Sequence, residues 1–271
     1  MRCITTPDEA QKVLLNRLGQ GVRKNLAPAL TWIRKAAEQG DKDAQSLLGH
    51  CYQEGEGVGK DYAKAIFWYR KAEAQGDKDA QMLLGYCYHE GLGIRKNFAE
   101  AVTWYRRAAQ RGHETAQLNL ALCYCVGDGV RKDLGKAAQW FHKAAAQGNT
   151  RSKWSLAKAY ENGLGVRKND SESVRWLRAA ASEGSAGAQC DLGVRYHNGQ
   201  GLRKNYALSV KWYRRAVENG DDWAKYLLGL CYRDGEGVRK NSSGARKWFQ
   251  RAQKCGIKEA TRAWERSGTD A

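Results

Sequence analysis

The sequence repeats itself with a fixed step of 36 residues, and that property restricts the chain to architectures made of stacked copies of one small unit. A Gly-x-Gly pair recurs at Gly19/Gly21, Gly55/Gly57, Gly91/Gly93, Gly127/Gly129, Gly163/Gly165, Gly199/Gly201 and Gly235/Gly237. The same step carries Trp32, Trp68, Trp104, Trp140, Trp176, Trp212 and Trp248, then an alanine from Ala36 to Ala252 and a glycine from Gly40 to Gly256. Seven units in one register, with no insertion, leave no linker, so residues 1–271 read as one domain with units starting at 19, 55, 91, 127, 163, 199 and 235. Residues 1–18 read as an N-terminal capping helix. Residues 257–271 read as a C-terminal cap, where Trp264, Glu265 and Gly268 leave the repeat pattern.

Each unit predicts two helices. Asn25, Asp61, Asn97, Asp133, Asn169, Asn205 and Asn241 stand where a side-chain oxygen can accept the first free backbone N–H groups. Ala29, Trp32, Ile33 and Ala36 then follow at i, i+3, i+4 and i+7, one apolar face of a helix, here called helix A. Gly40 ends it, because the left-handed conformation past a helix C-terminus is cheap only for glycine. Helix B starts near Ala44, turns Leu48, Cys51 and Tyr52 inward, and stops at the next Gly-x-Gly. A two-helix unit cannot bury its apolar face alone, whereas stacked units share a continuous core. The expected fold is therefore all-α, an α/α solenoid, with the tryptophan ladder packed into its core. Trp154 and Trp223 fall outside the repeat pattern and are expected on the surface, as candidates for partner contact.

A mean hydropathy of −0.72 and the lack of a long apolar run argue against a membrane span. The opening stretch from Met1 to Leu15 has no apolar core of the secretory type, so a cytoplasmic location is expected. Of eight cysteines, Cys51, Cys87, Cys123 and Cys231 share one repeat position. Equivalent positions on packed helices lie about 8–10 Å apart, beyond the ~7 Å that a disulfide tolerates between Cα atoms. Cys3, Cys125, Cys190 and Cys255 form no CxxC pair. All eight are expected to be reduced thiols, and no metal or cofactor site is expected. The five histidines occupy several different repeat positions and form neither a metal cluster nor a triad.

The net charge is +17, and more than half of the 46 basic residues lie on two period-36 tracks. One follows the Gly-x-Gly turns: Arg23 and Lys24, Lys60, then the pairs at 95–96, 131–132, 167–168, 203–204 and 239–240. The other lies on helix A: Arg34, Lys35, Arg70, Lys71, Arg106, Arg107, Lys143, Arg178, Arg214, Arg215 and Arg251. Stacked repeats turn such tracks into stripes whose field steers an acidic partner.

The segment from Ala80 to Gly112 carries Ala80, Leu84, Gly85 and Tyr88, then Gly91 and Gly93, Ala101 and Trp104, and Ala108, Ala109 and Gly112. This pattern resembles the Sel1-like repeat, related to the tetratricopeptide repeat, which has a shorter 34-residue period and no Gly-x-Gly turn. The resemblance covers about nine tenths of the chain, seven times over. It implies a right-handed superhelix with helix A on the concave side, serving as an adaptor in protein complexes of bacterial signalling or host interaction. Secreted cysteine-rich relatives staple the two helices of each repeat by a disulfide. Here Ala37, Glu73, Ala109, Ala145, Ala181, Val217 and Gln253 occupy the helix A position, so that staple is absent.

Some of those secreted relatives are described as penicillin-binding or β-lactamase-like. Ser155 and Lys158 match the S-x-x-K spacing of such enzymes, but no S-D-N or K-T-G accompanies them. The chain is therefore read as non-enzymatic, a monomeric scaffold binding an acidic protein along a basic groove. Its expected contact residues are Arg34, Lys35, Arg70, Lys71, Arg106, Arg107, Lys143, Arg178, Arg214, Arg215, Trp154 and Trp223. Nucleic acid or an anionic membrane surface is the alternative partner, and a hydrolase the second alternative.

Overall fold

The computed structural model describes residues 27–266 and, over that span, contains helices joined by short turns. The capping helix expected at 1–18, Cys3, Gly19, Gly21, Arg23, Lys24, Asn25, Gly268 and the side chains of Trp264 and Glu265 lie outside the described residues. The described residues form two compact units, 27–133 and 134–266. Unit 1 holds α1 (Ala27–Glu38), α2 (Lys42–Glu54), α3 (Tyr62–Ala74), α4 (Lys78–Glu90), α5 (Phe98–Gln110) and α6 (Glu114–Val126). Unit 2 holds α7 (Leu134–Ala146), α8 (Thr150–Asn162), α9 (Asp170–Ser182), α10 (Ala186–Asn198), α11 (Tyr206–Glu218), α12 (Asp222–Asp234), α13 (Ser242–Lys254) and α14 (Lys258–Arg266). Odd-numbered helices are helix A and even-numbered helices are helix B. Within each unit every helix packs on the next in sequence, the nearest-neighbour logic of a solenoid.

Local chemistry sets both ends of the helices. The side chains of Asp61, Asn97, Asn169, Asn205 and Asn241 accept first-turn backbone N–H groups of helix A. Asp41, Asp77, His113, Asn149, Ser185 and Asp221 do the same for helix B. The turn that follows helix B is closed by a backbone bond from the helix A cap to a tyrosine carbonyl, Asn97 N to Tyr88 O at 2.9 Å and Asn205 N to Tyr196 O at 2.8 Å. Gly91 ends α4 at φ 78°, a left-handed conformation that a side chain would strain.

Where helix A buries an aromatic ring, that ring is not the tryptophan. Tyr69, Tyr105, Tyr213 and Phe249, one position further along helix A, are fully buried, whereas Trp68, Trp104, Trp140, Trp176, Trp212 and Trp248 are half-buried and Trp32 is 38% exposed. This corrects the expected core ladder. Residues 29, 33 and 36 centre the buried arc of helix A, and residue 32 stands about 60° to one side of it at 3.6 residues per turn. The tryptophan therefore forms the shoulder of the core. The tyrosine ring lies against a glycine of the preceding helix B: a Cβ on Gly49 would meet Tyr69 at 2.6 Å, one on Gly85 would meet Tyr105 at 2.6 Å, and one on Gly193 would meet Tyr213 at 2.5 Å. Close helix approach thus depends on a small residue facing a large flat one.

Buried glutamines lock the A–B turns. Gln45, Gln117 and Gln189 donate through Nε2 to the carbonyls of Ala37, Ala109 and Ala181 at 3.0, 3.1 and 3.0 Å. Gln45 and Gln189 also accept from Gln75 and Asn219 of the next repeat, each at 2.9 Å.

Candidate functional site

The helix A cations lie on the exposed faces of the half-buried tryptophans. Lys35 stands 5.5 Å from the Trp32 ring, Lys71 5.0 Å from Trp68 and Arg107 4.6 Å from Trp104 in unit 1. In unit 2 Lys143 stands 4.2 Å from Trp140, Arg215 4.9 Å from Trp212 and Arg251 4.8 Å from Trp248. Position 179 is Ala179, and there Arg175 covers Trp176 at 4.7 Å instead. Such cation–π contacts each contribute about 0.5–1 kcal/mol at exposed sites. They hold a long flexible cation in place.

The preceding position reaches a different partner. Arg70, Arg178 and Arg214 donate through Nη2 to the hydroxyls of Tyr88, Tyr196 and Tyr232 at 3.3, 3.2 and 2.9 Å. His142 takes the arginine's place in unit 2, with Nε2 3.1 Å from the Tyr160 hydroxyl. Burial, reinforced by Arg175, holds that imidazole below its ordinary pKa, so it favours the neutral form at pH 7. Arg34 is exposed and Arg106 half-buried.

The two basic tracks meet in unit 2. Arg178 of α9 and Arg203 and Lys204 of the next turn line one crevice of about 370 Å³ with Tyr196, Leu202, Asn205 and Leu208. Lys204 is propped over the Tyr206 ring at 4.6 Å. Lys96 over Phe98 at 4.7 Å and Lys60 over Tyr62 at 5.0 Å repeat that arrangement in unit 1. The turn and helix tracks, separate along the sequence, thus converge in space. Their spacing, an arginine 18 residues before a tyrosine and a basic pair seven to eight residues after it, was a readable signal.

Helix B supplies the larger groove. In unit 1 a groove of about 680 Å³ is lined mainly by α2, α4 and α6, with Tyr105 of α5 and Asp128 of the following turn, and neither lysine nor arginine lines it. This groove is lined mainly by helix B and is not the helix A groove expected from the sequence. The side chains of Lys35, Lys71, Arg107, Lys143, Arg215 and Arg251 fold back onto the tryptophans of their own helices.

The unit 2 counterparts behave differently. Trp154, expected on the surface, is half-buried against the apolar cluster that holds Ala157, Leu177, Ala188 and Leu192, and its indole N–H donates to Asp191 at 2.7 Å. It is a packing residue. Trp223 is 40% exposed and tilts at 51° over Tyr226, with ring centroids 5.1 Å apart. Ser155 donates its hydroxyl to the Arg151 carbonyl at 3.0 Å. Lys158 pairs with Asp191 at 3.0 Å and Glu161 at 3.4 Å, attractions that raise its pKa against burial. A serine bound to its own helix and a lysine held as a cation do not form a nucleophile and base.

Among the described residues no cysteine is in a disulfide, no group of three or more His, Cys, Asp or Glu side chains is arranged to hold a metal, and no helix is long and apolar enough to cross a membrane.

The Sel1 repeat profile matches residues 14–41, 42–77, 78–113, 115–149, 151–185, 186–221 and 224–256. No curated protein matches the chain. Among solved structures it is similar to c5321 of uropathogenic Escherichia coli, described as a protective antigen displaying an SLR fold, with 35% identity and a TM-score of 0.85 over 95% of this chain and 56% of that one. The chain thus spans about half the length of the E. coli protein. It is also similar to a Sel1 repeat protein of Oxalobacter formigenes, with 29% identity and a TM-score of 0.82 over 92% of this chain and 100% of that one. The chain belongs to the Sel1 repeat family, all-helical α/α solenoids that generally mediate protein–protein interaction.

Proposed function

We propose that this protein is a non-catalytic scaffold that binds an acidic segment of a protein partner at the basic crevices between a helix A arginine and the following turn. The observation that carries this reading is the convergence of Arg178, Arg203 and Lys204 in one crevice. Arginine presents a planar fork matched to a carboxylate, and the Tyr196 hydroxyl holds Arg178 at 3.2 Å, so little side-chain entropy is lost on binding. Arg70 with Tyr88 and Arg214 with Tyr232 carry the same pairing, each followed by a basic turn pair at 95–96 and 239–240. The tryptophan-backed cations Lys35, Lys71, Arg107, Lys143 and Arg215 extend the positive field around these crevices.

A fluorescein-labelled glutamate-rich peptide tests the reading by anisotropy. The Arg70→Glu/Arg178→Glu/Arg214→Glu variant should bind it at least about ten-fold more weakly, equivalent to ~1.4 kcal/mol, with unfolding unchanged because all three side chains are exposed. Unchanged affinity, or tighter binding of an RNA of equal charge at the same salt, would overturn it.

A further inference from the structure

We infer that the helix B groove of unit 1 binds a second class of ligand: a cationic amphipathic helix of a partner protein, apolar on one face and rich in lysine or arginine along its edge. This surface is distinct from the basic crevices, and the inference does not rest on them.

The floor of the groove is apolar where a solvated surface would be polar. Met82, Leu83 and Tyr86 of α4 and Leu122 and Val126 of α6 line it together. Tyr86 is 39% and Val126 67% exposed. Scattered exposed apolar residues need no explanation, but several gathered in one groove mark a binding surface. The repeat itself does not demand them. Two repeats further along, the same positions hold Trp154, Ser155, Lys158, Val194 and Asn198.

The charge of the groove selects the occupant. Glu54, Glu90 and Asp128 line it, while no lysine or arginine does, in a chain whose net charge is +17. A basic protein has thus lined one groove with carboxylates rather than lysine or arginine, although Lys60 stands within electrostatic reach of Glu54 and His89 lines the groove 2.8 Å from Glu90. An acidic peptide or an anionic membrane would meet repulsion from these carboxylates. A segment carrying leucine-like side chains with lysine or arginine beside them would cover Tyr86 and Val126 and place its cations at Glu54, Glu90 and Asp128. The groove crosses helix B of three successive repeats, and a helix presents i, i+3, i+4 and i+7 side chains as one continuous ridge for such a groove.

The probe is a fluorescein-labelled Leu/Lys helix with leucines at i, i+3, i+4 and i+7, titrated with the full chain. Wild type should bind it and should not bind the same lysines and leucines in scrambled order. Glu54→Lys/Glu90→Lys/Asp128→Lys and, separately, Val126→Ser should each weaken binding by at least about ten-fold (~1.4 kcal/mol), while Lys158→Gln in unit 2 leaves it unchanged. Val126 is exposed, so Val126→Ser keeps the fold and isolates the apolar contribution. Arg70→Glu/Arg178→Glu/Arg214→Glu should also leave this binding unchanged, which separates failure of this inference from failure of the acidic-partner reading. Equal binding of the scrambled peptide, or full affinity in the charge-reversed variant, would overturn the inference. So would sedimentation showing that wild type dimerises and Val126→Ser does not, because the groove would then belong to a second copy.

Discussion

Two repeat steps separate Met82, Tyr86 and Val126 of unit 1 from Trp154, Lys158 and Asn198 of unit 2. The helices beneath them are the same, with an Asx, His or Ser cap at one end and a left-handed glycine at the other. What differs is how each face satisfies itself. In unit 2, Trp154 and Lys158 both bond Asp191, Lys158 also meets Glu161, and the buried Arg195 joins Glu161 at 3.1 Å and the Ser173 hydroxyl at 2.9 Å. In unit 1 the cysteine position filled by Arg195 holds Cys87 and Cys123, and the groove beside them keeps apolar side chains in water. The repeat thus keeps its caps and most of its inner face, while the outer face of helix B and the one inner position filled by Arg195 diverge.

If the cores of the two units are equivalent, the largest effects should match. Tyr105→Ala in unit 1 and Tyr213→Ala in unit 2 each remove a fully buried ring, and each should lose about 3–5 kcal/mol in urea unfolding. A cost below about 1 kcal/mol in one of them would break the equivalence. Trp104→Ala, beside Tyr105 but half-buried, should cost less than Tyr105→Ala.

The next effects test where the units differ. Arg195→Ala removes one of the two cations that meet Glu161, which keeps Lys158, and one of the two partners of the Ser173 hydroxyl, which still donates to the Ala157 carbonyl, and should cost about 1–3 kcal/mol. Cys123→Ala, at the equivalent place in unit 1, removes only a small apolar group and should cost less. Gly85→Ala sharpens the same point. Alanine is favoured over glycine in a helix by about 1 kcal/mol, yet its Cβ would stand 2.6 Å from the buried Tyr105 ring. Overpacking at about 1–3 kcal/mol should win, and a stabilised Gly85→Ala would show that the ring has room to move.

A smaller change is expected at the unit 2 surface. Lys158 is partly exposed, its side chain 42% accessible, so Lys158→Met should shift stability by no more than about 1 kcal/mol, although it removes a cation paired with two carboxylates. A larger loss would mean that the Asp191–Lys158–Glu161 network is part of the unit 2 core.

The smallest effect is expected from reductant, which should leave unfolding of both units unchanged because none of the described cysteines is paired. Burial pushes the Cys51 and Cys231 thiols up to about 12 and Cys87 and Cys123 to about 11. Their thiolates are therefore suppressed in the folded state. The stability this confers is whole below the ordinary thiol range and falls as pH climbs through it toward 12. Iodoacetamide at pH 8 should accordingly label the exposed Cys255 well before these four, and prompt labelling of Cys87 would contradict its burial.

Much of the architecture was determined by sequence alone. The 36-residue step, the Asx caps before helix A and the glycines after each helix act within a few residues of themselves, so their consequences need no knowledge of the fold. Burial of Leu48 and Cys51 followed from periodicity in the same way. Tertiary structure decided which aromatic enters the core, because Trp68 and Tyr69 are neighbours on one apolar arc and only the gap above Gly49 selects the tyrosine ring. It also decided the fate of Trp154, whose partner Asp191 lies one repeat away, and it brought Arg178 beside Arg203 and Lys204. Charge counted along a chain states how much field a protein carries. Where that field acts depends on helices packing side by side, and here packing laid helix A cations on tryptophans, gathered Arg178, Arg203 and Lys204 in one crevice, and left the unit 1 groove lined by carboxylates and apolar side chains.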